Sequence, residues 1–190
     1  MKQHRNQVPQ PGSLLLSEPF LQDENFRRAV VLLCEHEEGS GSIGFVMNKP
    51  SILNLGDLVN GLDFLDAEVF VGGPVEQNTL HFIYFGVQLM EESKHLGDGV
   101  WWGGGFTTLV QLLNSGKLNL SQVRFFLGYS GWSPGQLEEE LSEKTWIVYS
   151  ESFVQELFEN TAEQLWRSLM KRLGGEFEIQ SNYPTDPRLN

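Results

Sequence analysis

Residues 123–141 read "VRFFLGYSGWSPGQLEEEL", a largely apolar run that passes through three glycines into an acidic segment. The first part, residues 123–130, predicts a buried β-strand because aromatic and β-branched side chains dominate it. Residues 133–136 then have the S-x-x-Q form of a capping box, with Ser133 as the N-cap and a proline at the first helical position. The stretch therefore predicts a strand, a tight turn and a helix in succession.

Ser130 lies at this strand-to-helix turn, which is where α/β hydrolases hold their nucleophile. That elbow requires G-x-S-x-G, and here Trp132 stands where the second glycine is needed. The same fold places its histidine after the serine, whereas all four histidines precede Ser130, namely His4, His36, His81 and His95. We therefore interpret the segment as a structural turn and not as a catalytic elbow.

Two apolar runs upstream, at residues 30–36 and 43–49, are separated by a polar segment with two glycines. This pattern predicts a β-hairpin. Both runs are too continuously apolar to have one face in water, so we expect them near the centre of a covered sheet. Shorter apolar segments predict further strands at residues 12–19, 67–71, 79–85 and 145–150.

Helical spacing of leucine and aromatic residues predicts helices at residues 54–62, from Phe106, after Leu137, near 153–158 and at 161–173. In the last of these, Thr161 and Gln164 fit a second capping box. Residues 88–105 mix acids, glycines and two tryptophans, and they predict mostly loop.

The order of these elements favours an α+β fold, a single compact domain with a mixed, mostly antiparallel sheet surrounded by helices. We expect that domain at residues 12–180. A flexible arm at residues 1–11 and an extended tail at residues 181–190 would flank it, because both are polar and contain proline.

The chain of 190 residues carries 13 basic and 25 acidic side chains, a formal charge of −12. This charge repels phosphate backbones and disfavours direct nucleic acid binding, which leaves a DNA-binding transcriptional regulator as the less favoured alternative. No window approaches the roughly 18 consecutive apolar residues of a membrane span, and we expect a cytoplasmic protein without one. The single cysteine, Cys34, excludes an intrachain disulfide and cysteine-rich zinc modules.

Cys34 and His36 lie two residues apart on one predicted strand and would share a face. The pair permits a thiolate–imidazolium site, as in a hydrolase or transferase, although a buried structural thiol is the commoner use of such a cysteine. No third metal-ligating residue follows at a spacing typical of a metal site, so we expect no bound metal ion. The glycines at 103–105 lack the lysine of a phosphate-binding loop, and we expect no cofactor.

Several of these pieces, in this order, resemble the YqgE/AlgH family of bacterial proteins. The resemblance covers residues 12–174 and is carried by "GSLLLSEP", "FRR", "VVLLCEHEEGSGSIGFVMNKP", "VFVGGPV", "LGYSGWSPGQLEEEL", Trp146 and the Trp166-Arg167 pair. In the family pattern G-Y-x-x-W-x-x-G-Q-L-x-x-E, Ser130 is a free position. The segment "WWGGGFTTL" matches the family only loosely.

The resemblance implies a compact domain built on a mixed sheet, with no established enzymatic activity or cofactor. Family members are often described as transcriptional regulators, but this chain has no recognisable helix-turn-helix motif. We therefore expect a non-enzymatic binding or regulatory module with a surface cleft for a small molecule or a protein partner. The candidate ligand or partner surface consists of Arg27, Arg28, His36, Asn48, Lys49, Trp132 and Gln136. We assign structural turns and caps to Gly72, Gly73, Pro74, Ser133 and Gly135, and we expect the first three to form a sharp turn between paired strands. We assign no residue to catalysis.

Overall fold

The computed structural model describes residues 7–37, 39–59 and 65–184. The predicted arm and tail fall partly outside these ranges, at residues 1–6 and 185–190. The described part contains ten strands: β1 (Leu14–Ser17), β2 (Val30–Glu37), β3 (Gly41–Val46), β4 (Pro50–Asn54), β5 (Glu68–Val71), β6 (Val75–Phe85), β7 (Lys94–Gly97), β8 (Val100–Trp102), β9 (Val123–Trp132) and β10 (Trp146–Tyr149). Its α-helices are α1 (Leu55–Leu58), α2 (Phe106–Asn114), α3 (Gln136–Ser142), α4 (Val154–Glu159), α5 (Ala162–Leu173) and α6 (Glu176–Gln180).

Strand β9 joins the two halves of the sheet. β6 runs antiparallel along one edge of β9. The other edge pairs first with β5, in parallel at residues 125–127, and then with β3, antiparallel at residues 130–132. The strand order is β10-β1-β2-β3-β9-β6-β8-β7, and β4 pairs with β5 outside that path. Since β5 with β9 is the one parallel pair among the described strands, the predicted mixed, mostly antiparallel α+β fold is confirmed.

Both faces of the β1–β2 pair are covered, as their continuous apolar sequence predicted. Leu14, Leu16 and Leu32 face a core that the helices α4 and α5 complete. Leu15 and Val31 face the opposite way, into a smaller core that includes α3. A third core lies between α1, α2 and strands β5, β6 and β9. The sheet is therefore enclosed by helices, and the hairpin at residues 30–49 lies inside it.

Gly72 and Gly73 carry the chain across β9, since β5 and β6 lie on opposite edges of that strand. The Gly72 carbonyl accepts the Val46 N–H at 2.8 Å, and the Gly72 N–H donates to Leu127 at 2.8 Å. A Cβ at Gly73 would lie 2.3 Å from the carbonyl atoms of Tyr129. We predicted a sharp turn between paired strands here. β5 and β6 each pair with β9 and not with each other. The two glycines therefore allow the chain to cross β9 in close contact with its backbone.

The sheet curls, which brings its last strand, β7, back beside the start of the chain. Gly12 lies so close to β7 that a Cβ there would be 1.7 Å from the Leu96 carbonyl oxygen. At the first residue of β7, Lys94 forms an ion pair with Glu35 of β2. The gap between β7 and the ends of β2, β3 and β9 forms an open mouth at this side of the sheet.

The prediction of mostly loop at residues 88–105 holds for the larger part of the segment, but it missed two short strands at residues 94–97 and 100–102. Strands β7 and β8 form a hairpin there, which extends the sheet beyond β6. The ring of His95 packs against Trp101 at 4.6 Å, and Trp101 stacks on Tyr84 of β6 at 6.4 Å. Cross-strand ring contacts thus stabilise two strands of three and four residues, which are too short to show a two-residue period in sequence.

Several predicted helix boundaries also need correction. α3 begins at Gln136, and its N-cap is Gly135 with φ of 82°, not Ser133. Thr161 is the N-cap of α5 but makes no side-chain capping bond, so the second capping box is absent. α1 covers residues 55–58 only, within the described part of the predicted 54–62 helix. β4 and α6 were not predicted. β4 begins at Pro50 and α6 follows the Gly174-Gly175 pair, and both signals are typical of turns.

Candidate ligand-binding site

The carboxylate of Glu140 binds two tryptophans at once. Its Oε2 accepts the indole N–H of Trp132 at 2.9 Å and that of Trp146 at 2.6 Å. Its Oε1 accepts the side-chain amide of Gln136 at 2.9 Å, and the Gln136 oxygen accepts the Ser133 N–H at 3.0 Å. Both indoles are buried beneath α3. This Trp–Glu–Trp cluster fixes the strand-to-helix turn, and it engages the polar atoms of Trp132 and Gln136.

Ser130 is completely buried, and its hydroxyl donates to the Gly72 carbonyl at 3.0 Å. The same carbonyl accepts the Val46 N–H, so the hydroxyl is part of the strand crossing. A nucleophile must reach its substrate and needs a base beside it. Ser130 is enclosed and has no base beside it among the described residues, which agrees with its interpretation as a structural residue.

A cleft of about 750 Å³ occupies the mouth between β7 and the ends of β2, β3 and β9. We call it the mouth cleft. Its apolar part is lined by Cys34, Ile43, Val75 and Leu96, and the rings of Tyr129 and Trp132 also border it. Its polar part is lined by Glu35, His36, Glu37, Ser40, Ser42, Lys94, His95 and Ser133. Clefts of this size that combine apolar walls with polar groups are typical of small-molecule sites.

His36 offers the mouth cleft a free ring nitrogen. Its Nδ1 lies 2.8 Å from the hydroxyl of Ser42, which fixes the ring. Its Nε2 has no hydrogen-bond partner among the described residues. Beside it, the Lys94 ammonium pairs with Glu35 and lies 5.2 Å from the centre of the Trp102 ring. The polar rim therefore combines a held imidazole with a neutralised ion pair.

Cys34 reaches the same cleft but is only 2% exposed. Burial raises the pKa of its thiol well above the ordinary value, and the nearby Glu35 carboxylate adds to that rise while Lys94 opposes it. Its sulfur lies 3.7 Å from the Leu32 carbonyl, to which the S–H donates. The neutral thiol is therefore favoured, which argues against the thiolate mechanism of the enzymatic alternative.

Iodoacetamide is expected to alkylate Cys34 at least about tenfold more slowly in the folded protein than in urea at the same pH, because the thiolate is both disfavoured and enclosed. Mass spectrometry of timed samples measures both rates. Labelling of the folded protein at the unfolded rate would contradict this placement and favour a reactive Cys34–His36 pair.

A second concavity, of about 480 Å³, lies at the other end of β2. We call it the basic pocket. Four of the seven predicted surface residues line it, namely Arg27, Arg28, Asn48 and Lys49. The start of α5 lines it as well, with Gln164, Trp166 and Arg167.

The predicted surface therefore divides between two sites. His36 and Trp132 belong to the mouth cleft, Arg27, Arg28, Asn48 and Lys49 line the basic pocket, and Gln136 lines neither. Strand β2, which has eight residues, separates the two sites by about 25 Å at roughly 3.3 Å per residue.

Asn48 holds the loop that enters the basic pocket. Its side-chain oxygen accepts the Val30 N–H at 2.9 Å, and its amide donates to the Arg28 carbonyl at 2.9 Å. Arg28 has φ of 51°, a left-handed conformation that few residues other than glycine adopt. Asn48 thus fixes the left-handed backbone conformation of Arg28. We therefore describe Asn48 as a positioning residue of this pocket.

The described residues contain no group of three or more histidine, cysteine, aspartate or glutamate side chains able to hold a metal ion. Within the same ranges, no helix is long and apolar enough to cross a membrane.

The sequence model of the AlgH-like family, DUF179, matches residues 14–178. The chain belongs to the AlgH-like family. Its sequence is 41% identical to a UPF0301 protein of Cytophaga hutchinsonii over 94% of this chain and 98% of that protein. It is 39% identical to a UPF0301 protein of Chlorobium limicola over 95% of each. The resemblance to YqgE/AlgH proteins is therefore confirmed.

Two solved structures share the fold of this AlgH-like protein. The solution structure of AlgH from Pseudomonas aeruginosa superposes with a TM-score of 0.71 at 26% identity, over 97% of this chain and 98% of that one. The crystal structure of DIP2367 from Corynebacterium diphtheriae superposes with a TM-score of 0.78 at 20% identity, over 94% of each chain.

Some functional candidates were missed in the sequence of this AlgH-like chain. Lys94 and His95 lay in the segment predicted to be loop. Glu140 was mapped to the family pattern without a role, although its distance of four residues from Gln136 places both on one helix face. Arg167 was noted only as half of the W-R pair, and nothing in its sequence context indicated that α5 approaches Arg28.

Proposed function

We propose that this AlgH-like protein is a non-enzymatic binding module that holds a small ligand in the mouth cleft. The observation that carries the proposal is the cleft itself, about 750 Å³ at the open side of a curled sheet. Sheet mouths are recurrent ligand sites because strand ends supply both apolar walls and polar rims.

The lining of the mouth cleft favours an amphipathic ligand with a ring. The rings of Tyr129 and His36 and the apolar side chains of Val75 and Leu96 offer contact to a flat apolar group. The Nε2 of His36, which has no partner among the described residues, is available for one hydrogen bond. Lys94 and Glu35 neutralise each other, and Glu37 adds a further carboxylate to the lining, so the cleft favours a neutral or cationic ligand over an anionic one.

The states of the nucleophilic groups support binding rather than catalysis. Cys34, the nucleophile of the enzymatic alternative, has a raised pKa and lies 2% exposed. Ser130 donates to a backbone carbonyl inside the fold. His36 is bonded to the hydroxyl of Ser42, and among the described residues of the cleft this pair is the one hydrogen-bonded combination of a nucleophile and a base. Ser42 is 6% exposed and lies on a paired strand, so it is poorly placed to attack a substrate.

A screen of small heteroaromatic fragments by protein NMR tests this function. We expect fragments that bind to shift the amide signals of His36, Ser42 and Gly131. Gly131 is exposed, and a Cβ there would lie 3.2 Å from the Tyr129 ring and 3.8 Å from Val75. Gly131→Leu should therefore fill the cleft and weaken binding by about tenfold or more, since a leucine occupies space that the ligand needs.

Val87→Leu provides the matched control, because Val87 is 74% exposed and outside the cleft. This variant should bind fragments as the unmodified protein does. Equal binding by the Gly131→Leu variant, shown by thermal unfolding to be folded, would contradict the proposed site.

A further inference from the structure

Three segments that are far apart in sequence meet in the basic pocket. Residues 27–28 precede β2, residues 48–49 follow β3, and residues 164–167 lie in the first turns of α5. They carry the F-R-R, N-K-P and W-R pieces of the family resemblance. We propose that the basic pocket is a second binding site, which takes the phosphoryl group of a small phosphorylated molecule. It is separate from the mouth cleft, so either site can fail its test while the other stands.

The basic pocket gathers positive charge in a chain whose formal charge is −12. Four cationic side chains line it, namely Arg27, Arg28, Lys49 and Arg167, and Glu163 is the one carboxylate in its lining. Among the described residues, the ion pairs join Lys94 with Glu35 and Arg172 with Glu156. Neither pair involves these four cations, so the pocket keeps a positive excess.

Backbone carbonyls hold three of the four cations. The donor and acceptor pairs are Arg28 with Tyr183, Lys49 with Glu24, and Arg167 with Ser181. A neutral carbonyl orients a cation but leaves its charge uncancelled. In addition, the buried Nε of Arg28 has no hydrogen-bond partner among the described residues. The cations are therefore fixed in position and still able to bind an anion.

The cations repel one another in the absence of an anion. Burial lowers the pKa of Arg28, and the guanidiniums of Arg167 and Arg27 lower it further. Burial also lowers the pKa of Lys49, and Arg27 again adds to the effect, although two nearby carboxylates oppose it. A bound anion would relieve this repulsion, because an opposite charge favours the protonated form of each group.

The guanidinium of Arg28 is also preorganised by an aromatic ring. Its central carbon lies 5.1 Å from the centre of the Trp166 ring, a cation–π contact with a fully buried indole. Trp166 is itself fixed by the bond from its indole N–H to the Ser17 carbonyl at 2.9 Å. A planar donor held in this way loses little conformational entropy when it binds an anion.

A phosphoryl group fits this charge better than a carboxylate does. A phosphate monoester carries roughly −1.5 to −2 at neutral pH and offers three acceptor oxygens, whereas a carboxylate carries a single charge on two oxygens. Guanidiniums bind phosphate through paired N–H groups, and a lysine adds a point charge. The first turn of α5, which lines the pocket, contributes its N-terminal dipole in the same direction.

A small molecule fits better than a nucleic acid. The four cations surround one concavity of about 480 Å³ and do not form a stripe along the surface. A polymer of phosphates would place further negative charge against a protein of net charge −12. The pocket therefore suits one phosphoryl group on a compact ligand.

Phosphate titration followed by NMR tests the site. The probes are inorganic phosphate, methyl phosphate and acetate, each added to the full chain at constant ionic strength adjusted with chloride. We expect both phosphates to shift the amide signals of Arg28, Lys49 and Gln164 and to saturate below about 10 mM. Acetate should bind at least about tenfold more weakly, because it carries one charge instead of two.

Two variants and one control complete the test. Lys49→Gln and Arg167→Gln should each weaken phosphate binding about tenfold, since each removes one charged donor. Lys117→Gln removes an exposed cation outside the pocket and should leave binding unchanged. Thermal unfolding of each variant shows whether it is folded.

Four outcomes would overturn the proposal. These are phosphate shifts that do not saturate, equal binding of acetate, an equal weakening of binding in the Lys117→Gln control, and shifts that map to the mouth cleft. Duplex DNA that binds through Lys49 and Arg167 more tightly than methyl phosphate would also overturn it, in favour of a nucleic acid ligand.

Discussion

Replacing Gly73 with alanine is expected to destabilise the protein by about 3 kcal/mol or more, or to prevent folding. A Cβ at this position would lie 2.3 Å from the carbonyl carbon and oxygen of Tyr129 and 2.4 Å from the Ser130 nitrogen. These are backbone atoms of β9, so no side-chain rotation can remove the overlap. The link between β5 and β6 would have to lift off β9, which would disturb the pairing on both of its edges.

Urea unfolding followed by circular dichroism measures this effect. Gly105→Ala is the matched control, because a Cβ at Gly105 would meet nothing closer than the Thr108 hydroxyl at 3.4 Å and the N-cap φ there is −73°. We expect that variant to lose less than about 1 kcal/mol. A Gly73→Ala protein as stable as the Gly105→Ala protein would contradict the crossing that we describe.

Replacing Glu140 with alanine is expected to cost about 3 kcal/mol. The carboxylate accepts the indole N–H groups of Trp132 and Trp146, which are 6% and 4% exposed. Its loss leaves two enclosed donors without an acceptor, and each unsatisfied donor costs roughly 1–3 kcal/mol. In a chain of this size the melting temperature should fall by about 6–12 °C.

The Glu140→Gln variant removes the negative charge of the side chain but keeps an oxygen that can accept hydrogen bonds. The amide oxygen can still accept one or both indoles, so we expect a loss of only about 1 kcal/mol. Glu139→Ala is the matched control on the exposed side of α3, and we expect a change within about 0.5 kcal/mol. If all three variants melt together, the Trp–Glu–Trp cluster does not stabilise the turn.

Sequence patterns predicted the elements that lie in the centre of the fold. The apolar run at residues 30–36 predicted a strand buried on both faces, and the run at residues 123–130 predicted a buried strand. They form β2 and β9. Their apolar composition indicates burial directly, because the apolar side chains of each strand face cores on both sides of the sheet. The spacing in α5 predicted its apolar face in the same way.

Other features depend on contacts between distant residues and could not be predicted from local patterns. β7 and β8 exist because Trp101 and Trp102 pair with residues of β6 and β7, not because of a repeat in their own sequence. Local patterns also did not predict that β5 and β3 pair with the same edge of β9. Both glycines of the Gly72-Gly73 pair were predicted to form a turn, and only the positions of β5 and β6 show that they cross a strand.

The candidate surface shows the same limit. The seven residues were grouped because they share polar or amphipathic character, and the fold divides them between the two ends of β2. Arg28 and Lys49 meet because the β2–β3 hairpin returns the chain to its start. The approach of Arg167 depends on how α5 packs across the sheet, which its helical period does not specify.

The central claim, that a small ligand occupies the mouth cleft, is tested most directly by intermolecular NOEs from a bound heteroaromatic fragment. We predict NOEs to the ring of Tyr129, the ring of His36 and the methyl groups of Val75, and we expect these NOEs to disappear in the Gly131→Leu variant. NOEs confined to side chains outside the cleft, or unchanged in the variant, would contradict the account.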